Sequence, residues 1–150
     1  MKEPFEILIV EDYEPDVQFA LRLFRKSRIA NKLHVVRDGA EALDFLFSRG
    51  IWRHRTASQR PLVVLMDIRL PKLDGWEVLQ LLRQDPSTRA IPVIMISGSL
   101  FKAETEQCRE LGANGSLSKP LQMEELKAVL AQFEAVWAMV GQEEIDRAFS

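Results

Sequence analysis

The chain has 150 residues, 47% of them hydrophobic and 28% charged, with a formal net charge of −2. This length and composition suit one globular domain, and the small net charge argues against a general affinity for nucleic acid. The only cysteine, Cys108, excludes an internal disulfide, and we interpret it as a small buried hydrophobe. No apolar run is long enough to span a bilayer, and no leader is evident, so we expect a soluble, cytoplasmic protein.

The first part of the chain predicts a buried strand, a helix and an edge strand. Ile7–Val10 is a short apolar run, typical of a strand buried on both faces, and it ends in Glu11 and Asp12. Glu14-Pro15 fits a helix start, and weak alternation over residues 31–36 suits a strand at the edge of a sheet. The apolar face of the helix consists of Val17, Ala20, Leu21 and Phe24.

A second helix and a longer loop follow. Asp38-Gly39 predicts a turn, and the apolar stripe from Ala42 to Phe47 predicts the helix. Residues 48–60 have no clear period and are interpreted as an exposed loop. Its basic residues and Trp52 are compatible with a patch for a partner or nucleic acid, but we favour a solvated loop with Trp52 folded back.

The stretch from Pro61 to Trp76 is the centre of the chain. Leu62 to Met66 predicts a buried strand that stops at Asp67, and Asp74-Gly75 marks a loop before the next helix. Asp67 therefore stands at the carboxyl end of a buried strand, where open α/β sheets bind ligands. This stretch alone does not separate a loop or cap carboxylate from a nucleophile or metal ligand.

Two further strand–helix pairs complete the pattern. Residues 91–96 predict a strand ending in Ser97, with a helix over about 102–111 behind it, and residues 115–118 predict a strand ending in Lys119. The last helix begins near Gln122. The alternation predicts an α/β fold with a parallel sheet and helices on both faces. We expect the flavodoxin-like form of this fold, a doubly wound (βα)5 sheet whose five parallel strands lie in the order 2-1-3-4-5. We expect one domain with its core over about 5–140 and a helical tail over about 141–150.

The predicted strand ends share charged or polar side chains: Glu11, Asp12, Asp67, Ser97 and Lys119. In this strand order they surround one point at the carboxyl edge of the sheet. Clustered carboxylates suit a hard divalent cation such as Mg²⁺. Lys119 and Ser97 are suited to bind phosphoryl oxygens, and Asp67 is a candidate nucleophile for an aspartyl-phosphate.

Competing sites lack essential parts. The sequence has neither the phosphate-binding loop of P-loop nucleotidases nor the G-x-G-x-x-G of dinucleotide folds. A phosphatase of the haloacid dehalogenase type usually has a second Asp two positions after its nucleophile, where this chain has Arg69. His34 and His54 are isolated, so a zinc site is not supported.

Short motifs follow one another along the chain: Ile7–Asp12, Asp38–Leu43, Asp67–Gly75, Met95–Gly98, Leu111–Ala113 and Ser118–Pro120. With these motifs the chain, from Ile7 to about Val140, resembles the receiver domain of two-component response regulators. The resemblance implies that Asp67 accepts a phosphoryl group from a histidine kinase, with Ser97 and Lys119 on the phosphoryl oxygens. It also implies Mg²⁺ bound by Glu11, Asp12, Asp67 and the Arg69 carbonyl, a cis Lys119–Pro120 bond, and a signalling role without enzymatic turnover beyond slow self-dephosphorylation.

The chain departs from this family at Ser116, where receivers often carry a Tyr or Phe that acts with the switch hydroxyl. Arg69 and Ser99 occupy positions that often tune phosphoryl lifetime. Arg69 either contacts the phosphoryl group or faces solvent, and we favour solvent. A phosphorylation-independent interaction adaptor on a receiver scaffold is the alternative function.

The loop over 48–60 and the C-terminal tail are similar to those of stand-alone receivers paired with phytochrome-type kinases. The apolar stripe from Leu126 to Val140 is longer than the sheet needs. Phe133, Trp137 and Val140 either cap the core or form a dimer or kinase-docking surface. We expect a homodimer through the C-terminal helix and the strand-five side, with no nucleic-acid or membrane partner.

Overall fold

Strands and helices alternate along the chain in a computed structural model that describes residues 5–55, 62–98 and 101–132. The strands are β1 (Glu6–Val10), β2 (Leu33–Val36), β3 (Leu62–Asp67), β4 (Val93–Ser97) and β5 (Gly115–Ser118). The helices are α1 (Glu14–Lys26), α2 (Gly39–Leu46), α3 (Gly75–Gln84), α4 (Lys102–Glu110) and α5 (Met123–Leu130), with a short 3₁₀ turn at Gly50–Trp52. Among these helices, none is both long and apolar enough to cross a membrane.

The five strands form one parallel sheet in the order β2-β1-β3-β4-β5, which confirms the predicted fold. The register aligns the strand ends. Val10 pairs with Met66, so Glu11 and Asp67 follow at the same level, and Ser97 pairs with Ser118, the residue before Lys119. The pairing therefore brings the predicted polar side chains to one edge of the sheet.

The sheet has a hydrophobic core on each face. The central strand β3 is therefore buried along its whole length. Val64 and Met66 pack toward α2 and α3, whereas Val63 and Leu65 pack toward α1 and α5. This alternation follows from the two-residue period of a strand. Each fully buried aliphatic side chain contributes roughly 1.5–3 kcal/mol, so the two cores hold the strand ends in place.

Two aspartates cap the helices α2 and α3, which begin near the loop between β3 and α3. Asp38 accepts a hydrogen bond from the Glu41 amide at 2.7 Å, and Asp74 accepts one from the Glu77 amide at 3.0 Å. Each satisfies an amide that the first turn of a helix leaves without a partner. The cap at Asp74 fixes where α3 begins, at the end of the loop that follows Asp67.

The segment after α2 is more ordered than the expected loop. Its described part contains the 3₁₀ turn, and Trp52 packs edge-on against Phe45 with ring centroids 4.8 Å apart. The interpretation that Trp52 folds back is thus confirmed. Cys108 is buried, as predicted. The predictions for Ser99, Phe133, Trp137, Val140 and the tail over 141–150 lie outside the described residues.

Candidate functional site

Lys119 lies at the centre of the carboxyl edge of the sheet. Its Nζ atom donates hydrogen bonds to Glu11 Oε1 at 2.6 Å, Asp16 Oδ2 at 2.8 Å and Asp67 Oδ2 at 2.9 Å. One ammonium group therefore bonds to three carboxylates, which come from the residue after β1, from α1 and from the end of β3. Hydrogen bonds between charged groups are stronger than neutral ones, so this contact draws the three elements together.

The backbone holds Lys119 against β4. Its amide donates to the Ser97 carbonyl at 2.8 Å, and the Lys119–Pro120 peptide bond is cis, as expected. Ser97 is buried at the end of β4, one strand away from Asp67 in the sheet. Ser97, Lys119 and Asp67 thus occupy the ends of three successive strands.

Three carboxylates form a group that fits a metal ion. Glu11, Asp12 and Asp67 each present one oxygen, and these oxygens lie within 4.8 Å of one another. Glu11 and Asp67 are buried, whereas Asp12 is exposed and open to incoming water or ligand. An all-oxygen, acidic and partly solvated donor set suits a hard divalent cation that keeps some of its waters.

The remaining oxygens of these carboxylates are held by backbone amides. Asp67 Oδ1 accepts from the Arg69 amide at 3.2 Å, and Glu11 Oε2 accepts from the Tyr13 amide at 3.2 Å. Both bonds orient a side chain from the loop that follows its own strand. They fix the direction of the two buried carboxylates before any ligand arrives.

Burial and charge shift the pKa values of the two central groups. Burial raises the pKa of Glu11 to about 7; the hydrogen bond from Lys119 opposes the rise and the neighbouring Asp67 carboxylate adds to it. Burial alone lowers the pKa of Lys119, but hydrogen bonds to its three carboxylate partners outweigh that effect, and its pKa is raised. The lysine is therefore a permanent cation, and the acids are crowded enough to favour further positive charge.

An apolar cavity of about 300 Å³ opens beside this group. Its polar end is formed by Asp16, Asp67 and Lys119. Its walls come mainly from Ile9, Phe19, Leu65, Ile96 and Leu121. Apolar walls limit water on this side of Asp67, so charges there interact more strongly than they do in bulk solvent.

Asp16 is the residue of this cluster that sequence reasoning missed. It lies in the first turn of α1 and bonds to Lys119, which follows it by 103 residues. The available signal was its position: an acid in the first turn of a helix that starts directly behind β1. Such acids usually stabilise the helix dipole, so that signal did not single out Asp16.

Of the three positions singled out by comparison with the family pattern, Arg69 and Ser116 belong to the described residues. The Arg69 side chain is 73% exposed, and its Nη2 lies 3.8 Å from Glu104 Oε2 on α4. Ser116 is half-buried on β5, where it lines a cleft of about 210 Å³ together with Thr105 and Cys108. The Arg69 carbonyl as a metal ligand stays a prediction.

Fold and site together define a class of protein: a doubly wound α/β domain with acids and one lysine gathered at the carboxyl edge of its sheet. The family described as response regulator receiver domain matches residues 7–131. The chain therefore belongs to the receiver domains of two-component response regulators. Membership implies a signalling role, a histidine kinase as partner, and a divalent cation at the acidic site.

Individual relatives agree with this assignment. The probable methanogenesis regulatory protein FilR2 of Methanothrix harundinacea is 33% identical over 138 residues, which cover 91% of this chain and 85% of FilR2. Response regulator Rcp1 of Synechocystis sp. is 33% identical over 134 residues, which cover 89% of each protein. These relatives are similar in length to this chain.

Solved structures are similar as well. The bacteriophytochrome response regulator RtBRR is 35% identical with a TM-score of 0.79, covering 98% of this chain and 90% of that one. The Mn²⁺-bound form of Rcp1 is 33% identical with a TM-score of 0.70, covering 92% of this chain and all of that one (100%). The chain is thus similar in sequence and fold to phytochrome-associated response regulators.

Proposed function

We propose that this chain accepts a phosphoryl group from a histidine kinase on Asp67, in a Mg²⁺-dependent reaction, and signals by protein–protein interaction. The observation that carries the proposal is the position of Lys119 Nζ, 2.9 Å from Asp67 Oδ2 and 2.6 Å from Glu11 Oε1. A nucleophilic carboxylate, a neighbouring acid pair and a fixed cation are the groups that phosphoryl transfer to an aspartate requires.

In the proposed step, a carboxylate oxygen of Asp67 attacks the phosphorus of a phosphohistidine. A P–O bond forms while the P–N bond breaks, and the imidazole nitrogen keeps the electron pair of that bond. Lys119 binds a phosphoryl oxygen, and the Ser97 hydroxyl donates a hydrogen bond to another. The rigid backbone contact between Lys119 and Ser97 keeps both groups positioned during transfer.

Glu11, Asp12 and Asp67 would hold the Mg²⁺, joined by the Arg69 carbonyl. When bound, Mg²⁺ supplies positive charge that offsets the carboxylates and the phosphoryl oxygens. The three carboxylates suit this ion because their oxygens are hard donors and Asp12 is exposed. The Mn²⁺-bound form of Rcp1 supports a divalent cation in a related protein.

The test is labelling with acetyl phosphate in the presence and absence of Mg²⁺. We expect a base-labile adduct in the wild type with Mg²⁺, none with a chelator, and none in Asp67→Asn. The matched control is Asp74→Asn, which changes the carboxylate that caps α3 in the same loop. This variant should label normally. An adduct that survives in Asp67→Asn would contradict the proposal.

We further propose a phytochrome-type kinase as the phosphoryl donor. The 35% identity to RtBRR and 33% identity to Rcp1 support this choice. A cytoplasmic location, homodimerisation through the C-terminal helix and the β5 side, and the absence of nucleic-acid binding are parts of the same proposal. Light scattering of the full chain with and without beryllofluoride tests the dimer.

A phosphorylation-independent adaptor is the second candidate, favoured by Ser116. Its side chain on β5 has no aromatic ring that could change position when Asp67 is phosphorylated. The usual way of passing a change at Asp67 to a partner-binding surface is therefore missing. Under this alternative, beryllofluoride binds without changing the affinity for the kinase or the oligomeric state. Under the first proposal, at least one of these quantities changes.

A further inference from the structure

The start of α2 lies directly against the loop that follows β3. Gly39, the first residue of α2, is buried, and its amide donates to the Pro71 carbonyl at 3.4 Å. A β-carbon at position 39 would overlap the Leu73 carbonyl oxygen and lie 2.8 Å from Leu73 Cβ and 2.9 Å from the Leu73 carbonyl carbon. The helix and the loop are therefore so close that only a glycine fits between them.

Space, and not backbone conformation, is what requires a glycine at position 39. Gly39 does not have the positive φ that favours glycine, unlike Gly50 and Gly112. Helix propensity alone would favour alanine here by up to about 1 kcal/mol. The close approach of α2 to the loop is thus the feature that this glycine serves.

The loop itself is held in a strained shape next to Gly39. Lys72 has a φ of 67°, a left-handed conformation that costs a residue with a β-carbon about 1–2 kcal/mol. The Leu73 amide donates to the Pro71 carbonyl at 2.8 Å, and Lys72 Nζ lies 3.2 Å from Asp38 Oδ2 at the cap of α2. The Lys72 side chain is 68% exposed, so this ion pair adds little, and the restraint comes mainly from backbone packing against Gly39.

The same loop carries the predicted backbone ligand of the metal ion. Arg69, two residues before Pro71, donates its amide to Asp67 Oδ1 at 3.2 Å, and its carbonyl is the predicted fourth ligand. The far end of the loop is fixed where the Gly75 amide donates to the Ile68 carbonyl at 2.7 Å. A side chain at position 39 would push the middle of this loop away from α2, and the carbonyl of Arg69 would move with it.

We propose that Gly39 is a positioning residue of the metal site: by letting α2 lie against the loop after β3, it holds the Arg69 carbonyl in place for the ion that Glu11, Asp12 and Asp67 bind. This inference rests on the metal site of the proposed function, and it adds α2 to the elements that determine the affinity of that site. Because such coupling is reciprocal, metal binding stabilises the start of α2.

Titration of the full chain with Mn²⁺, followed by electron paramagnetic resonance with Mg²⁺ as the competitor, measures the affinity directly. Gly39→Ala should weaken the binding of both ions about tenfold, because changes to groups that orient metal ligands typically cost at least this much. Labelling by acetyl phosphate should then require about ten times more Mg²⁺ but reach the wild-type rate at saturation, since the reacting groups are unchanged.

Gly115→Ala is a control in which a glycine is also replaced at a tight contact. Gly115 is the first residue of β5, at the end of the strand away from the site, and a β-carbon there would lie 2.6 Å from Val129 Cγ1. This variant should lose stability and keep the wild-type affinity for Mn²⁺. An equal loss of affinity in both variants would show that affinity merely follows stability, and would overturn the inference.

Amide hydrogen exchange of the wild type is a measurement that needs no variant. The Glu41 and Ala42 amides bond to Asp38 at the start of α2, whereas the Phe47 amide bonds to the Leu43 carbonyl at the end of the same helix. Mg²⁺ should slow exchange at the first two amides about fivefold and leave the third unchanged. Equal slowing at both ends of α2 would be general stabilisation by a ligand and would overturn the coupling.

Binding and labelling together separate this inference from the proposed function. A wild type that binds Mn²⁺ without labelling at Asp67 would reject phosphoryl acceptance and leave the role of Gly39 intact. A wild type that labels normally, with a Gly39→Ala variant of unchanged ion affinity, would reject the role of Gly39 alone. A wild type that binds no divalent cation would reject both.

Discussion

Gly75, the first residue of α3, packs directly on the backbone of Asp67. A β-carbon at position 75 would lie 2.4 Å from the Asp67 carbonyl oxygen and 2.9 Å from Ile68 Cα. The Gly75 amide in turn donates to the Ile68 carbonyl at 2.7 Å. The start of α3 and the end of β3 are therefore in contact through backbone atoms, which leaves no space for a side chain.

Gly75→Ala should destabilise the protein and displace Asp67. The clash involves backbone atoms, so the loop must shift, at a cost of about 1–3 kcal/mol in the free energy of unfolding. Urea denaturation measures this cost, and acetyl phosphate labelling should slow at the same time. Gly98→Ala is the control, because a β-carbon there meets nothing within 4 Å. Equal stability of the two variants would contradict the close packing at Gly75.

Lys119→Met should destabilise the metal-free protein more than the Mg²⁺-loaded one. Removing the ammonium leaves Glu11 and Asp67 buried side by side without their cation, which costs about 1–3 kcal/mol or more. Added Mg²⁺ should raise the melting temperature of the variant by more than that of the wild type. Lys32→Met, at an exposed lysine, is the control for loss of charge. An equal Mg²⁺ effect on all three proteins would argue against a shared set of carboxylates.

Asp38→Ala should lower stability at neutral pH by about 1 kcal/mol, because it removes the cap of α2. The hydrogen bond from the Glu41 amide is the main cause that lowers the pKa of Asp38, and Lys72 adds to it. Since the folded-state pKa lies below the unfolded one, the stabilisation is present above the unfolded pKa and is lost as the pH falls through the folded pKa.

Urea unfolding between neutral and acidic pH measures the difference between wild type and Asp38→Ala. The difference should shrink in the acidic range and be constant above it. Asp38→Asn keeps an acceptor for the Glu41 amide without a titrating group, so its stability relative to Asp38→Ala should not depend on pH. A wild-type advantage that grows on acidification would have the wrong sign for this mechanism.

Arg83→Lys should make the protein less stable than the wild type. The guanidinium donates to the Gly112 carbonyl at 2.9 Å, the Arg89 carbonyl at 3.1 Å and Asn114 Oδ1 at 3.0 Å. A lysine ammonium cannot reach these divergent acceptors with the same geometry. We expect a loss of about 1–3 kcal/mol and faster amide exchange around Gly112. Arg89→Lys, which keeps the carbonyl that Arg83 uses, should be close to wild type.

The sequence was sufficient for the fold because each strand carries a local signal. The apolar run before Asp67 is long enough for one buried strand, and acids or turn residues end it abruptly. Parallel strands place their carboxyl ends at one edge, so the meeting of Glu11 with Asp67 follows from strand order alone. The strand–helix alternation predicts only a parallel sheet with helices on both faces, and the order of the strands was taken from the flavodoxin-like fold.

The remainder depends on contacts between distant residues, which no local pattern encodes. Asp16 joins the site only because Lys119 reaches across from β5. The ion pair between Arg69 and Glu104 depends on how α4 leans on the loop after β3. The 3₁₀ turn that contains Trp52 was missed because it has only three residues. Such a turn is too short to show the repeating apolar pattern by which helices are identified in a sequence.

The lysine at the centre of the site is also a constraint on when the protein becomes competent. Glu11 and Lys119 are 108 positions apart, and their contact closes nearly the whole described chain. During synthesis, Glu11, Asp16 and Asp67 are all made before Lys119, so the acids exist for a time without their cation. Under the proposed function, the site is therefore incomplete until β5 has docked, so the ability to accept a phosphoryl group arises late in folding.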